Sequence, residues 1–466
     1  MQLDNRAAHR VVGVRTSARS LCAALSVAGL ALLAGGCQSY NTSDALEPDS
    51  ISGRYIAVLC DADMGGSAFA TSKLDRGNAD ASDAMTVVTL PISTAPGADA
   101  SKWQTPIAQV GVSNSVMGPP TSLAINASGK LALVAETFKP GAAGATNLSD
   151  LVEGNSIIGV DMSDPMRPFI ASKAEVGVGP QSIDFHPSGR FAAVATRAPG
   201  KQIVIVPVDG NKLGAATAWG LVGLDDAETE VVSSVSWHPS GKYLAVTVPG
   251  RDTVAFYEFA KDVGDGTMGL APWGNPVTVG KYPFTAKFTP DGRHVVTTDL
   301  QWGDDVNGFL VGAPAGNLSV IRVSAQSGDN PESLHQVVCT TPVGVSPESM
   351  AISSDGRYVV TANLRQSMMP LGSSELTGGS ISLLTLDDSG MLTSHGEVEL
   401  AAMPQGIAFD RGNNHLIVSQ FRSTDPEAVD GELAFFKLNK GASPSLTAGR
   451  FFVGVGIGPH GVVIVR

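Results

Sequence analysis

Four arginines and a set of carboxylates and amides recur at matching places along this chain. Arg197, Arg251, Arg365 and Arg422 follow runs of alternating apolar residues, and Glu136, Asp299 and Asn363 close such runs directly. Gln181, Glu348, Gln405 and His460 each stand immediately after a proline that opens the next run. Arginine at these places suits a carboxylate, a phosphate or a carbonyl oxygen, which its guanidinium grips through forked hydrogen bonds. Glu348 or His460 can then act as general base on water, with Arg365, Arg251 or Arg422 holding the oxygen on which charge develops. Singly, each residue reads better as a solvated turn charge paired with a neighbour. Their shared place in a repeat argues for one ligand-binding or catalytic constellation.

The repeat itself decides the architecture. PTSLAINASGKLALVAE from Pro120 is followed by PQSIDFHPSGRFAAVAT from Pro180, VSSVSWHPSGKYLAVTV from Val232 and PFTAKFTPDGRHVVTTD from Pro283. PESMAISSDGRYVVTAN from Pro347, PQGIAFDRGNNHLIVSQ from Pro404 and a truncated PHGVVIVR complete the series. Alternation of apolar residues on either side of Ser-Gly-Lys or Asp-Gly-Arg predicts a hairpin, with glycine supplying the positive φ of the turn. Two further candidate strands follow each hairpin, which makes four-stranded blades arranged as a propeller. The seventh copy ends after one strand. SGRYIAVLC from Ser52 is the missing second strand, and TVVTLPI from Thr86 and PIAQVGV from Pro106 read as the third and fourth. The expected fold is therefore an all-β, seven-bladed propeller over residues 52–466. Its shared blade combines three N-terminal strands with the innermost strand from the C-terminus.

The pattern Pro-x-x-φ-x-φ-x-x-x-Gly-Arg-x-φ-x-Val, with φ apolar, resembles the YVTN and lactonase-like seven-bladed propellers, and Val359-Val360-Thr361-Ala362-Asn363 is the best local match to the YVTN tetrapeptide. The resemblance spans nearly all of residues 50–466 and implies the fold. It also implies, as one alternative, a hydrolase acting on a sugar or organic-acid lactone. The Trp-Asp dipeptide of WD40 blades is absent.

In a propeller, first strands begin and second strands end on one face, so the residues singled out above are expected to rim one axial funnel. Connections after the second strands are short in blades three and four, at Thr196 and Val248. They are long over 61–83, 136–155, 299–316, 363–379 and 420–431, with Trp302, Phe309, Leu310, Met368 and Met369 available to close over a ligand or meet a partner.

Residues 1–36 read as an export signal, with Arg6, Arg10, Arg15 and Arg19 before an apolar core from Leu21 to Leu33. Ala34-Gly35-Gly36-Cys37 resembles a lipobox, making Cys37 the lipidation site, and residues 37–51 read as a flexible tether. Gln38 rather than Asp after Cys37 leans towards the outer membrane of a bacterial envelope, with the membrane met by the lipid alone. Removing the four arginines and one aspartate of residues 1–36 takes the formal charge from −13 to −16, which argues against nucleic acid as a partner. A monomer is expected, meeting a small polar ligand or an envelope protein.

Cys60 and Cys339 are expected to be unpaired and buried, because their blades are too far apart for a disulfide. His186, His238 and His294 recur at hairpins, which periodicity explains better than metal ligation. No cofactor is expected; calcium is the one ion considered, since Asp61-Ala62-Asp63 before Gly65-Gly66 opens like a calcium loop but lacks the later acidic ligands, and Asp304, Asp305 and Asn307 form a fainter candidate. The leading functional reading is a small-ligand or partner binder at the loop-rich face. A lactonase-like hydrolase and a non-catalytic scaffold are the alternatives.

Overall fold

A computed structural model describes residues 46–62, 64–74, 82–92, 107–113, 118–141, 144–261, 267–303, 306, 311–324, 334–424 and 431–466. Residues 1–36, read above as an export signal, and Cys37, Asp63, Asp304, Asp305, Asn307, Phe309 and Leu310 lie outside them. Strands alternate with tight turns throughout, as the period-two pattern dictates, and they form seven antiparallel sheets. Blade 1 is the shared one: Pro459–Val465 innermost, then Tyr55–Cys60, Ala84–Thr89 and Ile107–Gly111. Tyr55 pairs with Val465 and Leu59 with Gly461, so the two chain ends close the ring. Blades 2 to 7 begin with the inner strands Leu123–Ile125, Ser182–Phe185, Ser234–Trp237, Pro283–Phe288, Pro347–Ile352 and Ala402–Phe409.

Most second strands are buried along their whole length, as in Leu131–Phe138, His294–Asp299 and Tyr358–Asn363, because each is covered by a neighbouring blade on both faces. Every one of the seven blade interfaces has its own apolar cluster. Two of them depend on the C-terminal strand: Val462 and Ile464 pack against blade 7 residues such as Ile417 and Phe435, and Val465 packs with Leu123 of blade 2. Leu46 and Ile51, placed by the sequence in the tether, are buried in the first of these clusters beside Phe435 and Phe451. Their apolar side chains find a groove that a wholly polar tether would not fill.

The hairpin turns behave as their glycines require. Gly241 takes φ +74° and Gly292 φ +73°, while blade 7 places Asn413 at φ +52° instead. The recurring histidines lie on this face: His186 Nε2 is 2.9 Å from the carbonyl of Gly241, and His238 Nε2 is 3.1 Å from that of Gly292. Each stitches its hairpin to the turn of the next blade, which accounts for their period without a metal. Among the described residues no group of three His, Cys, Asp or Glu could hold a metal ion, and no helix is long and apolar enough to cross a membrane. Cys60 and Cys339 are free and buried.

Candidate active site at the axial funnel

The residue after each blade-opening proline is aimed by a local irregularity in the sheet. In blade 6, Pro347 pairs with Asn363 and Ser349 with Ala362, so Glu348 is the extra residue of a bulge. Phe284 is bulged in the same way in blade 5, and His460 in blade 1. Blade 7 loses register between Pro404 and Ile407, around Gln405. A bulge turns a side chain out of the sheet's alternation and is a common device beside active sites. Here it directs side chains of four successive blades to the mouth of the axis, and no residue type announces it in the sequence.

These side chains are joined in one polar cluster. Gln405 donates a hydrogen bond to Glu348 across the interface of blades 7 and 6. Tyr282, which precedes the opening proline of blade 5, interacts electrostatically with both Glu348 and Arg197. Arg197 Nε donates to Gln181 Oε1 at 3.1 Å, and the Gln181 amide donates to the carbonyl of Val232 at 2.5 Å. His460 hydrogen-bonds Gly118, whose backbone lies against Gln181. Gln181, Glu348, Gln405 and His460 are all buried. Arg197 keeps 17% of its side-chain surface, with Glu153 at 3.8 Å and the Phe138 ring 5.4 Å away. It stands on the short connection between Phe191–Ala195 and Ile203–Asp209 of blade 3.

Burial sets the protonation of the cluster. Desolvation pushes the Glu348 carboxyl up to about 8 against a smaller opposing effect of the Gln405 hydrogen bond, so it carries its proton at neutral pH. Desolvation lowers His460 to about 4, which keeps the imidazole neutral. Its Nδ1 has no hydrogen-bond partner among the described residues, nor has Gln405 Oε1. The pair is thus an acid that retains its proton and a base with an open nitrogen.

The remaining sequence candidates lie elsewhere. Asp299 and Asn363 end equivalent second strands, but their side chains turn between blades rather than to the axis. Asp299 accepts from Thr297 Oγ1 at 2.8 Å and Ser319 Oγ at 2.6 Å, and desolvation raises it to about 7. Asn363 meets Thr361, Ser380 and Ser382 in the same fashion. Glu136 is buried with Lys173 at 3.3 Å. Arg251 is held by Glu230 at 2.6 Å and by the carbonyls of Asp225 and Asp226, and Arg365 pairs with exposed Glu399 at 3.0 Å. Arg422 donates to the carbonyls of Ser367 and Met369, fastening the connection of blade 6. Sequence reading missed Tyr282. Its signal was the residue before an opening proline, where Gly179, Ser346 and Gly458 share its positive φ.

Part of the funnel is covered. Trp302, Leu364, Met368, Met403 and Phe421 form an apolar cap with Phe284, and Phe69 stacks on Trp302 at 5.9 Å between centroids. Trp302 Nε1 donates to Ser346 Oγ at 2.9 Å, which sets the ring down over blades 5 and 6.

The model of the family described as "Lactonase, 7-bladed beta-propeller" matches residues 160–439. Among solved structures, the periplasmic gluconolactonase of Pseudomonas aeruginosa is 16% identical, with 88% of this chain and 99% of that one covered and a TM-score of 0.55. A candidate 6-phosphogluconolactonase of Bacteroides fragilis is 14% identical, with 90% and 100% covered and a TM-score of 0.59. A candidate Tricorn-like protease C-terminal subunit of Sulfurisphaera tokodaii is 23% identical over 165 residues, 34% of this chain; the match spans only 17% of that relative.

Proposed function

Because the chain belongs to the lactonase family of seven-bladed β-propellers, we propose that it hydrolyses the lactone of a sugar acid in the funnel cluster. The observation that carries this reading is the joining of Gln181, Arg197, Tyr282, Glu348, Gln405 and His460, drawn from five blades, around one acid and one base. Water attacks the lactone carbonyl as His460 Nδ1 takes its proton. Arg197 and the Gln405 amide stabilise the oxyanion. When the tetrahedral intermediate collapses, the bond from carbonyl carbon to ring oxygen breaks and Glu348 protonates that oxygen. The proton on His460 then returns to Glu348 through solvent, leaving the hydroxy acid as product. Among the described residues the cluster holds one arginine, itself faced by Glu153, which suits an unphosphorylated substrate better than a phosphosugar, which calls for several cations.

The test is hydrolysis of glucono-δ-lactone above its spontaneous rate. Turnover lost in Glu348→Gln and Arg197→Ala, with cooperative thermal unfolding retained in both, supports the assignment. A well-folded wild-type protein no faster than the uncatalysed rate rejects it. The apolar cap over blades 5 to 7 favours a second reading, in which the cluster holds a polar ligand without turning it over; a thermal shift with lactone but no hydrolysis is its signature.

We further propose that the chain is exported and anchored by lipid at Cys37 in the cell envelope. Incorporation of labelled palmitate, abolished in Cys37→Ser, checks this.

A further inference from the structure

Three residues inward from the funnel positions, the inner strands place Ala124, Asp184, Ser236, Lys287, Ala351, Ala408 and Val463 at one register. At about 3.3 Å per residue this level lies some 10 Å down the axis. Asp184, Lys287, Ala408 and Val463 keep accessible surface although most residues around them in the inner strands are buried. Asp184 and Lys287 interact electrostatically, and they belong to blades 3 and 5, which blade 4 separates. Their interaction therefore spans the inner strand of blade 4, on whose Trp237 amide Asp184 is seated, and the surface they keep lies along the innermost strands of the ring.

This level is chemically lopsided. Asp184, Ser236 and Lys287 stand on three consecutive blades, while the other four positions carry only alanine or valine. Asp184 Oδ2 accepts from the Trp237 amide at 2.7 Å, and Ser236 Oγ accepts from the Phe288 amide at 3.4 Å. The Lys287 ammonium has no hydrogen-bond or ion-pair partner among the described residues. Two opposite charges that are desolvated by burial and lie near each other without forming an ion pair leave their attraction largely unused, unless something polar lies between them.

We propose that the inner strands line an axial channel with a second ligand site, separate from the funnel cluster, in which Lys287 binds the carboxylate of a small hydroxy acid while Asp184 and Ser236 hold its hydroxyl. The small side chains opposite leave room for the carbon skeleton, and the ammonium, carboxylate and hydroxyl match the groups of such a molecule one for one. The site does not depend on any turnover in the funnel.

The test uses the wild-type protein and glycolate as the probe. Cyanate is small enough to enter the channel and carbamylates amines, so modification of Lys287, read by mass spectrometry, reports access. Glycolate is expected to slow it about tenfold at ten times its Kd, acetate less, and chloride at equal ionic strength not at all. Asp184→Asn should bring glycolate down to the level of acetate, and Lys287→Met should remove the thermal shift that glycolate produces. Equal protection by chloride, or none by glycolate, overturns the proposal and leaves water as the occupant. A Lys287 that cyanate never reaches in the folded protein overturns it as well, because the channel would then be closed.

Discussion

Arg197 and Gln181 are held together at 3.1 Å, and the Gln181 amide is itself fixed by the carbonyl of Val232. The second contact decides which end of Gln181 faces the guanidinium, so the arginine is aimed by the inner strand of blade 3 and the segment leading into blade 4. The arginine of the funnel cluster is thus positioned by residues that need not touch substrate.

Gln181→Leu should therefore impair lactone turnover through Arg197. A hydrogen bond to a charged group contributes about 1.5–3 kcal/mol, so kcat/KM is expected to fall roughly tenfold to a hundredfold. Thermal unfolding should change little. Kinetics identical to wild type would remove Gln181 from any positioning role.

Glu348 gives the site a pH signature. Its folded-state value of about 8 lies above the ordinary 4.5, so between these limits the folded protein holds a proton that the unfolded chain has lost. Its contribution to stability is fully present below pH 4.5 and disappears as pH rises through 8. Lactonase activity should likewise decline above about pH 8 as the acid is lost. Glu348→Gln should abolish turnover yet flatten the fall in melting temperature over that interval; a variant whose melting curve keeps the wild-type slope would place the titration elsewhere.

Asp299 offers a cleaner comparison, because blade 6 already shows what an amide does there. Asn363 satisfies itself on Thr361, Ser380 and Ser382 much as Asp299 does on Thr297 and Ser319. Burial holds Asp299 at about 7, well above 3.8, so folding becomes less favourable as pH rises through that window. Asp299→Asn loses the 3.2 Å bond from the Gly280 amide, and should be slightly less stable than wild type at pH 5 and more stable at pH 8.5. Melting curves that do not cross between these pH values would refute the assignment.

The contrast between these residues shows how far sequence could be read. Blade number, hairpin turns and the split blade were legible because Gly241, Gly292 and the alternation of apolar residues are local rules repeated many times. The prolines at 180, 347, 404 and 459 pointed to Gln181, Glu348, Gln405 and His460, which the structure gathers in one polar cluster. The ends of the second strands misled, because Asp299 and Asn363 alternate into the blade interface and strand period alone does not say which neighbour a terminal side chain meets. Arg251 and Arg365 were captured by Glu230 and Glu399, contacts set by loop shape. The bulges at Phe284, Glu348 and His460 are backbone events with no composition of their own.

Ring closure makes the last strand far more consequential than its length. Pro459–Val465 supplies the innermost strand of blade 1 and apolar side chains to two blade interfaces. Without it, Tyr55–Cys60 would become an exposed edge, which invites pairing with another chain. Ending the chain at Gly458 should abolish the cooperative thermal transition and drive the protein into aggregates. Val462→Asp tests the packing part alone: a carboxylate placed at a 7% exposed position in the cluster of blades 7 and 1 should cost several kcal/mol. A synthetic peptide of residues 459–466, added during refolding of the truncated chain, should restore soluble protein by re-forming the pairing of Tyr55 with Val465. A truncated chain that melts at the wild-type temperature without the peptide would mean that six blades close without the shared one.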